Sequence, residues 1–498
     1  MNRHSKTTTN TILLTATNAL NRLIGFIYRI VLIRIAGQEA VGLFQMVFPA
    51  YSLFLVLATA GLPIAVSKLV AEYQAKNSEA GVRSVLRTAV FTALFLGLSA
   101  NVLLFLLAKP LADSVLRDSR IYYALLIIAP SLPLVALSAV FRGYFQGVQE
   151  VRVVAASQLL EQLGHVASTL WLVSLVLARG PVYLTATLAA GSILGEFVGL
   201  GTYLVCFPFF RPAPKVNSLP PAARMVRTLF SVAIPTTAAR LVQSLAQVIQ
   251  SILIPSQLRL AGYTASQAAI AFGQLTGMAF NLLFIPSLFT SSLAATLLPQ
   301  VAAASSRRSA EQTTAAFLRA LHWTASLSLP CSALLVTLGE PLCLVLFNSR
   351  SAGQLLSLLA TGGLLLYTQQ ISAATLQGLG KPALPMLASL AGTAVSSVLI
   401  LVLTPIWQMR GTAISLTVGF VTSGLIALVM VEQQLPFFRQ WLPALSKTLC
   451  AALISGYVSN AAYVHCLANS GRVLTALLAA GMAGLASYLI SAKLLKVI

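Results

Sequence analysis

The chain is predicted to be an all-α polytopic membrane protein of about fourteen transmembrane helices, and three observations carry that prediction. Hydrophobic residues make up 57% of its 498 residues and charged ones only 9%, with a mean hydropathy of +0.86. The apolar residues recur in runs of about 20, the length that crosses the hydrocarbon of a bilayer. The runs are continuous rather than alternating, which selects helices over a barrel; only those two structures satisfy every backbone polar group in lipid. A net charge of +21 would suggest nucleic acid for a soluble protein. Here the positive-inside rule accounts for most of it, and no nucleic-acid partner is expected.

Taken in order, the expected spans are 11–36, 42–67, 86–108, 121–142, 155–178, 183–207, 229–254, 265–298, 316–338, 354–376, 383–404, 412–432, 444–464 and 472–493. The first lacks a small-residue cleavage site and outruns a signal-peptide core, so it reads as a retained span. The eighth is too long for one straight crossing and is expected to be broken or to extend beyond the bilayer. An even number of spans puts both termini on one side. Sorted by this map, roughly 20 of the basic residues fall on the terminal side and about nine opposite, which makes both termini cytoplasmic. Arg22, Arg29 and Arg240 are the basic residues left inside spans.

Residues 207–228, FPFFRPAPKVNSLPPAARMVRT, are rich in proline and basic residues and read as a semi-rigid connector. The expected plan is therefore an N-lobe over 1–207, a cytoplasmic linker over 208–228, a C-lobe over 229–436 and an extra helix pair over 437–498. A weak internal repeat supports the division: Gln146-Gly147 recurs as Gln377-Gly378, Ala156-Ser157 as Ala388-Ser389, and Leu62-Pro63 as Leu298-Pro299. Repeats of six spans have the same topology, so their axis should lie along the membrane normal.

Polar residues inside the spans cluster by helical phase. Asn18, Arg22 and Arg29 lie four and seven residues apart, with Gly25 between, on one face of the first span. A guanidinium near the bilayer centre costs at least about 2.5 kcal/mol, so that face should see protein or water rather than lipid. Arg240, Gln243, Gln247 and Gln250 share a face of the seventh span, Gln274, Gly277 and Asn281 one of the eighth, and Gly42, Gln45, Pro49 and Ser52 one of the second. Two lobes facing one another across a polar, cationic cavity would use all of these groups. The blander possibility is that the arginines tie helices together through Glu161, Glu196 or backbone carbonyls, and that the glutamines form interhelical hydrogen bonds. Glu161, within SQLLEQLGH, is a candidate charge partner or coupling site. Glu196 sits among Gly191, Gly195 and Gly199, whose spacing marks a close-packing face.

Nothing in the sequence suggests an enzyme. His4, His165, His322 and His465 are far apart, and Cys206, Cys331, Cys343, Cys450 and Cys466 have no CxxC spacing, so neither metal nor cofactor is expected. There is no nucleotide-binding glycine loop and no GxSxG. Any transport would draw on ion gradients, membrane potential or substrate supply.

Three stretches carry a family resemblance: NRLIGFIYRIVLIRIAG at 21–37, GLPIAVSKLVAEY at 61–73 and RGYFQGVQEVRVVAASQLLEQ at 142–162. They resemble the stage V sporulation protein B group, in the polysaccharide-exporter branch of the multidrug/oligosaccharidyl-lipid/polysaccharide (MOP) flippase superfamily. The resemblance extends over essentially the whole chain and implies a MurJ/MATE-like, six-plus-six-plus-two fold in the bacterial plasma membrane. It implies a flippase that moves an undecaprenyl-pyrophosphate-linked saccharide, a lipid II-like peptidoglycan precursor, by alternating access, with a role in spore cortex synthesis among the possibilities. In MurJ-type relatives first-span arginines line the cavity; Arg22 occupies the corresponding place, whereas Arg29 is one residue off, where this chain has Tyr28. An arginine pair of that pattern falls near Leu55-Val56, and a charged cluster falls near residues 279–283, where only Asn281 is polar, so substrate contacts there should differ.

On this reading Arg22, Arg29 and Arg240 would hold the pyrophosphate, Asn18 would line the same face, and Gln243, Gln247, Gln274 and Asn281 would meet the sugar or peptide. The extra helix pair would offer a groove to the polyprenyl tail. Membrane lipid and cell-wall synthesis enzymes are further candidate partners of an expected monomer. The competing class is a Na⁺- or H⁺-coupled multidrug antiporter of the same superfamily. That class wants acidic cavity residues, and this chain sets two intramembrane acids against three arginines. A scaffold that recruits cell-wall enzymes would need an extramembrane domain of some size, which the span map does not leave.

Overall fold

The computed structural model describes residues 3–210, 222–307 and 309–495. Residues 211–221, most of the expected linker, lie outside the described residues. Helices and short turns account for the regular structure, with no strand among the described residues. Among the described residues, eight helices are long and apolar enough to cross a bilayer, or nine if a pair bent by 42° at residues 129–130 is one span. The sequence-based figure of fourteen counts separately the two halves of two kinked helices and adds helices below that apolar threshold.

The chain divides into two compact units, residues 1–252 and 253–498. In the first, α1 (Arg3–Thr59) is broken at Gly37, whose φ of 83° is a backbone conformation that side-chain-bearing residues rarely adopt. This is the gap expected between the first two spans. The chain beyond the kink is fastened twice: Thr185 Oγ1 donates to the Ala40 carbonyl at 3.2 Å, and Arg120 Nη1 meets Glu39 Oε1 at 2.5 Å. Arg120 is itself held by Asp118, at 2.8 Å through Nε and 2.6 Å through Nη2. The left-handed pair Ala60 and Gly61 ends α1, and α2 (Leu62–Ala75) follows. The unit continues with α3 (Glu79–Pro110), the bent pair α4 (Tyr122–Ile128) and α5 (Ser131–Gly147), then α6 (Val151–Val176) and α7 (Pro181–Phe210).

Helices α6 and α7 pack closely because α7 presents glycine every fourth residue. A Cβ on Gly191 would fall 1.9 Å from Thr169 Oγ1 and 2.9 Å from the Thr169 Cα, so the approach is backbone to side chain with no slack. The Gly191→Val variant is therefore expected to lose at least about 2 kcal/mol through overpacking. Thermal unfolding in detergent measures this; an unchanged transition would mean that α6 and α7 separate without cost.

Most of α8 (Ala222–Leu260) belongs to the first unit, and the division falls within it. The second unit contains α9 (Ala265–Gly273), a π-helical turn over Gln274–Ala279, α10 (Phe280–Leu283) and α11 (Ser287–Ser306), so the eighth expected span is interrupted. A capping box starts α9, with Thr264 and Gln267 each bonding the other's backbone. The unit proceeds through α12 (Ala310–Phe347), α13 (Arg350–Ala360), α14 (Gly363–Gly378) and α15 (Ala383–Glu432). Its core joins α11, α12, α14 and α15 to α16 (Phe438–Ser470) around Val301, Phe317, Ile371 and Val431, with Phe437 edge-on to Phe317 at 4.9 Å. Glu432 caps the start of α16 by accepting from the Phe437 and Phe438 amides at 2.8 and 3.0 Å. Small residues seat α17 (Val473–Leu494) on α16: Ser455 and Ser459 donate to the Gly484 and Ala480 carbonyls at 2.7 and 3.0 Å. Outward-facing Phe95, Leu106, Tyr457, Leu485 and Ile490 are more than half exposed, a surface suited to lipid rather than water.

Candidate functional site

In the first unit a polar seam runs between α1, α5, α6 and α7. On α1, Asn18 and Arg22 are exposed, while Arg29 is partly buried. Four residues before Arg29, Gly25 faces α6, where an added Cβ would make an ordinary 3.5 Å contact with Gln162 Nε2. The Tyr28 ring meets His165 of α6 edge-on at 5.2 Å, and Arg29 is a charged neighbour of that imidazole. Ser192 of α7 reaches the other side, 3.5 Å from His165 Nε2. The expected polar stripe of α1 and the Gln162–His165 stripe of α6 thus lie against each other. Arg22, by contrast, has no ion-pair partner among the described residues and is open to whatever fills the space beside α1.

Glu161, on the same stretch of α6, is paired with a residue that span prediction missed. Its Oε2 is 4.0 Å from Arg142 Nη2, with side-chain exposures of 26% and 33%. Arg142 falls at the cytoplasmic edge of the fourth expected span, and α5 continues beyond it to Gly147. Tyr203 of α7 also lies beside Arg142. Glu196 of α7 has Glu161 and Arg142 as its charged neighbours. Glu161 Oε2, Arg142 Nε and Gln158 Oε1 are buried without a hydrogen-bond partner among the described residues. Two carboxylates against one guanidinium leave an excess negative charge when both are ionised, which one proton or one small cation can neutralise.

On α8, Arg240, Gln243 and Gln247 are exposed along the helix, and Ser244 between them is buried. Ser244 Oγ lies 3.1 Å from Ser52 Oγ, so this face of α8 is tied to the expected polar face of the second span. Arg240, like Arg22, has no ion-pair partner among the described residues.

The second unit treats the two remaining candidates differently. Gln274 opens the π-helical turn and lines a cavity of about 1020 Å³. Asn281, seven residues on, donates one N–H of its Nδ2 to the Gly277 carbonyl, which leaves its side-chain oxygen and its second N–H for a ligand.

Long apolar helices and a lipid-suited exterior define a multi-pass helical membrane protein. The chain belongs to the family described as "Polysaccharide biosynthesis protein", which matches residues 7–305. It is 30% identical over 457 residues to Stage V sporulation protein B of Bacillus subtilis (strain 168), covering 91% of this chain and 88% of that protein. It is 25% identical over 457 residues to Lipid II flippase MurJ of the same organism, covering 86% and 83%. Its fold is that of a solved structure described as Lipid II flippase MurJ in an inward closed conformation, with a TM-score of 0.74 at 14% identity over 97% of this chain and 98% of that one.

Proposed function

We propose that the chain is a flippase for an undecaprenyl-pyrophosphate-linked saccharide, working by alternating access in a bacterial plasma membrane, with fourteen passes and both termini cytoplasmic. The observation that carries this reading is Arg22: an exposed guanidinium without an ion-pair partner among the described residues, held on a bilayer-length helix where only a functional gain would justify it. The names of the sequence relatives, a lipid II flippase and a sporulation protein, support the cargo class and favour a role in spore cortex peptidoglycan.

Arg22, with Arg29 and Arg240, would hold the pyrophosphate by charge-assisted, two-pronged hydrogen bonds, for which the planar guanidinium is suited. Gln243 and Gln247 would meet the saccharide on the same side; Gln274 and Asn281 are further candidates for its sugar or peptide portion. The lobes are those of the sequence plan, 1–207 and 229–436 around the linker 208–228, with the helix pair 437–498 offered to the lipid tail. An interior-negative potential would favour outward movement of the anion by about 2.3 kcal/mol per charge per 100 mV.

Vesicles reconstituted with the protein and a fluorescent lipid-linked pyrophosphate disaccharide test the reading. The label should become accessible across the bilayer only when the protein is present, and no movement above empty vesicles would remove the assignment. A second reading, a cation-coupled multidrug antiporter, draws support from the Glu161–Glu196 neighbourhood. Ethidium efflux driven by a Na⁺ or H⁺ gradient, without movement of the lipid-linked sugar, would favour it instead.

A further inference from the structure

The cavity of about 1020 Å³ in the second unit is built from connections of the span map together with the span ends next to them. They are the α8–α9 turn at Tyr263, the first turns of α9, the start of α13 and the middle of α15. By the orientation proposed above, all of them lie at the outer ends of their spans.

The α15 segment is a tightly made feature. At Gln408 the helix breaks with φ 54° and ψ −136°, a conformation costing an ordinary residue on the order of 1–3 kcal/mol, which persists only where the surroundings impose it. The break is closed by Gly411, where a Cβ would come within 2.2 Å of the Leu403 carbonyl oxygen, and by a buried contact of 3.0 Å between the Thr404 and Thr412 hydroxyls. The result presents Trp407, Gln408 and Arg410 to the cavity, with the indole 54% exposed.

Facing them are Gln267, Gln274 and Gln354, and no acidic side chain lines the space. Two of the amides are oriented in advance. Gln267 Oε1 accepts from the Thr264 amide at 2.9 Å, and Gln408 Oε1 accepts from the Tyr263 hydroxyl at 3.3 Å. Each keeps an NH₂ group whose direction is set by the bond its oxygen makes. Such a wall suits a ligand rich in oxygen acceptors. The indole offers an apolar plane for the C–H face of a pyranose ring, and Arg410 offers a fixed fork to a carboxylate. A tryptophan that only anchors a helix at the lipid interface would need neither the surrounding glutamines nor the strained turn.

We infer that this cavity is an outer-face binding site for the saccharide head of the cargo, taking a sugar ring that stacks on Trp407 and bears an acidic substituent that meets Arg410. The inference rests on the flippase reading for its side of the membrane and its ligand, and it adds a receiving site after translocation.

Calorimetric titration of the detergent-purified full chain tests it with two soluble probes. One is the disaccharide of N-acetylglucosamine and N-acetylmuramic acid, which has a carboxylate; the other is N,N′-diacetylchitobiose, which is neutral. The wild type should bind both. Trp407→Ala and Gln354→Ala should each weaken both probes by about tenfold, and Arg410→Gln should weaken the acidic probe alone. Trp407→Phe, which restores an aromatic plane, should recover most of the loss. The inference is overturned if the wild type gives no binding heat with either probe. It is equally overturned if Trp407→Ala, Gln354→Ala and Arg410→Gln, with wild-type melting transitions, bind both probes as the wild type does. Binding by a protein that moves no lipid-linked sugar would end the flippase reading and leave the site. Translocation by a protein that binds neither sugar would end the site and leave the reading.

Discussion

Arg22→Ala is expected to cut translocation of a lipid-linked pyrophosphate by roughly ten- to a hundredfold, the loss that follows from one charge-assisted hydrogen bond or one two-pronged pair. The same variant should be at least as stable as the wild type. Arg22 is exposed on α1 and has no ion-pair partner among the described residues, so alanine there breaks no salt bridge and removes a charge that costs at least about 2.5 kcal/mol at mid-bilayer. A structural role predicts the opposite pattern, with lost stability and transport falling only as folded protein falls. Arg22→Lys refines the test, because it keeps the charge but loses the fork. It should transport more than Arg22→Ala and less than the wild type. Undiminished transport by Arg22→Ala, with the protein folded, would take Arg22 out of the mechanism.

The class of fold could be read from the sequence because runs of apolar residues and the cost of unsatisfied backbone in lipid leave few alternatives. The break at Gly37 was legible as a gap between apolar runs, and the π-helical turn as a span too long to be straight. Helical phase placed Arg29 on a polar stripe of α1, and its neighbour Tyr28 packs edge-on against His165 of α6. Arg142 was missed for a definable reason. A hydropathy boundary is drawn at the first strong charge, but α5 runs one further turn to Gly147, and the apolar Phe145 beyond Arg142 was the available signal. The Trp407–Arg410 turn was hidden differently. It falls in the gap between the expected spans 383–404 and 412–432, and a periodicity argument assigns no chemistry to residues between spans. Of the residues around the cavity in the second unit, Gln274 alone stood out, because it shares a polar face of its span with Gly277 and Asn281.

Glu161→Leu is expected to destabilise the first unit by about 3 kcal/mol, since removing one partner of a largely buried pair leaves the other charge uncompensated. The partial exposure of both side chains, 26% for Glu161 and 33% for Arg142, places the figure toward the low end of the range for such losses. Relaxation offers little relief. Glu161 lies over Gly199, where an added Cβ would be 3.0 Å from Oε2, so α7 closes the space into which the seam would have to rearrange. Arg142 could turn toward Glu196, its other charged neighbour, and that is what keeps the loss from being larger. Arg142→Leu alone should cost at least as much, because it leaves the neighbouring Glu161 and Glu196 carboxyls without their cation. The double variant, Arg142→Leu with Glu161→Leu, should then be more stable than the sum of the two losses predicts, by about 1 kcal/mol or more, the mark of residues that interact directly. Melting curves for the four proteins in one detergent measure that cycle. Strictly additive losses would mean that the 4.0 Å approach carries no energy and that the seam is held by packing of α6 on α7 alone.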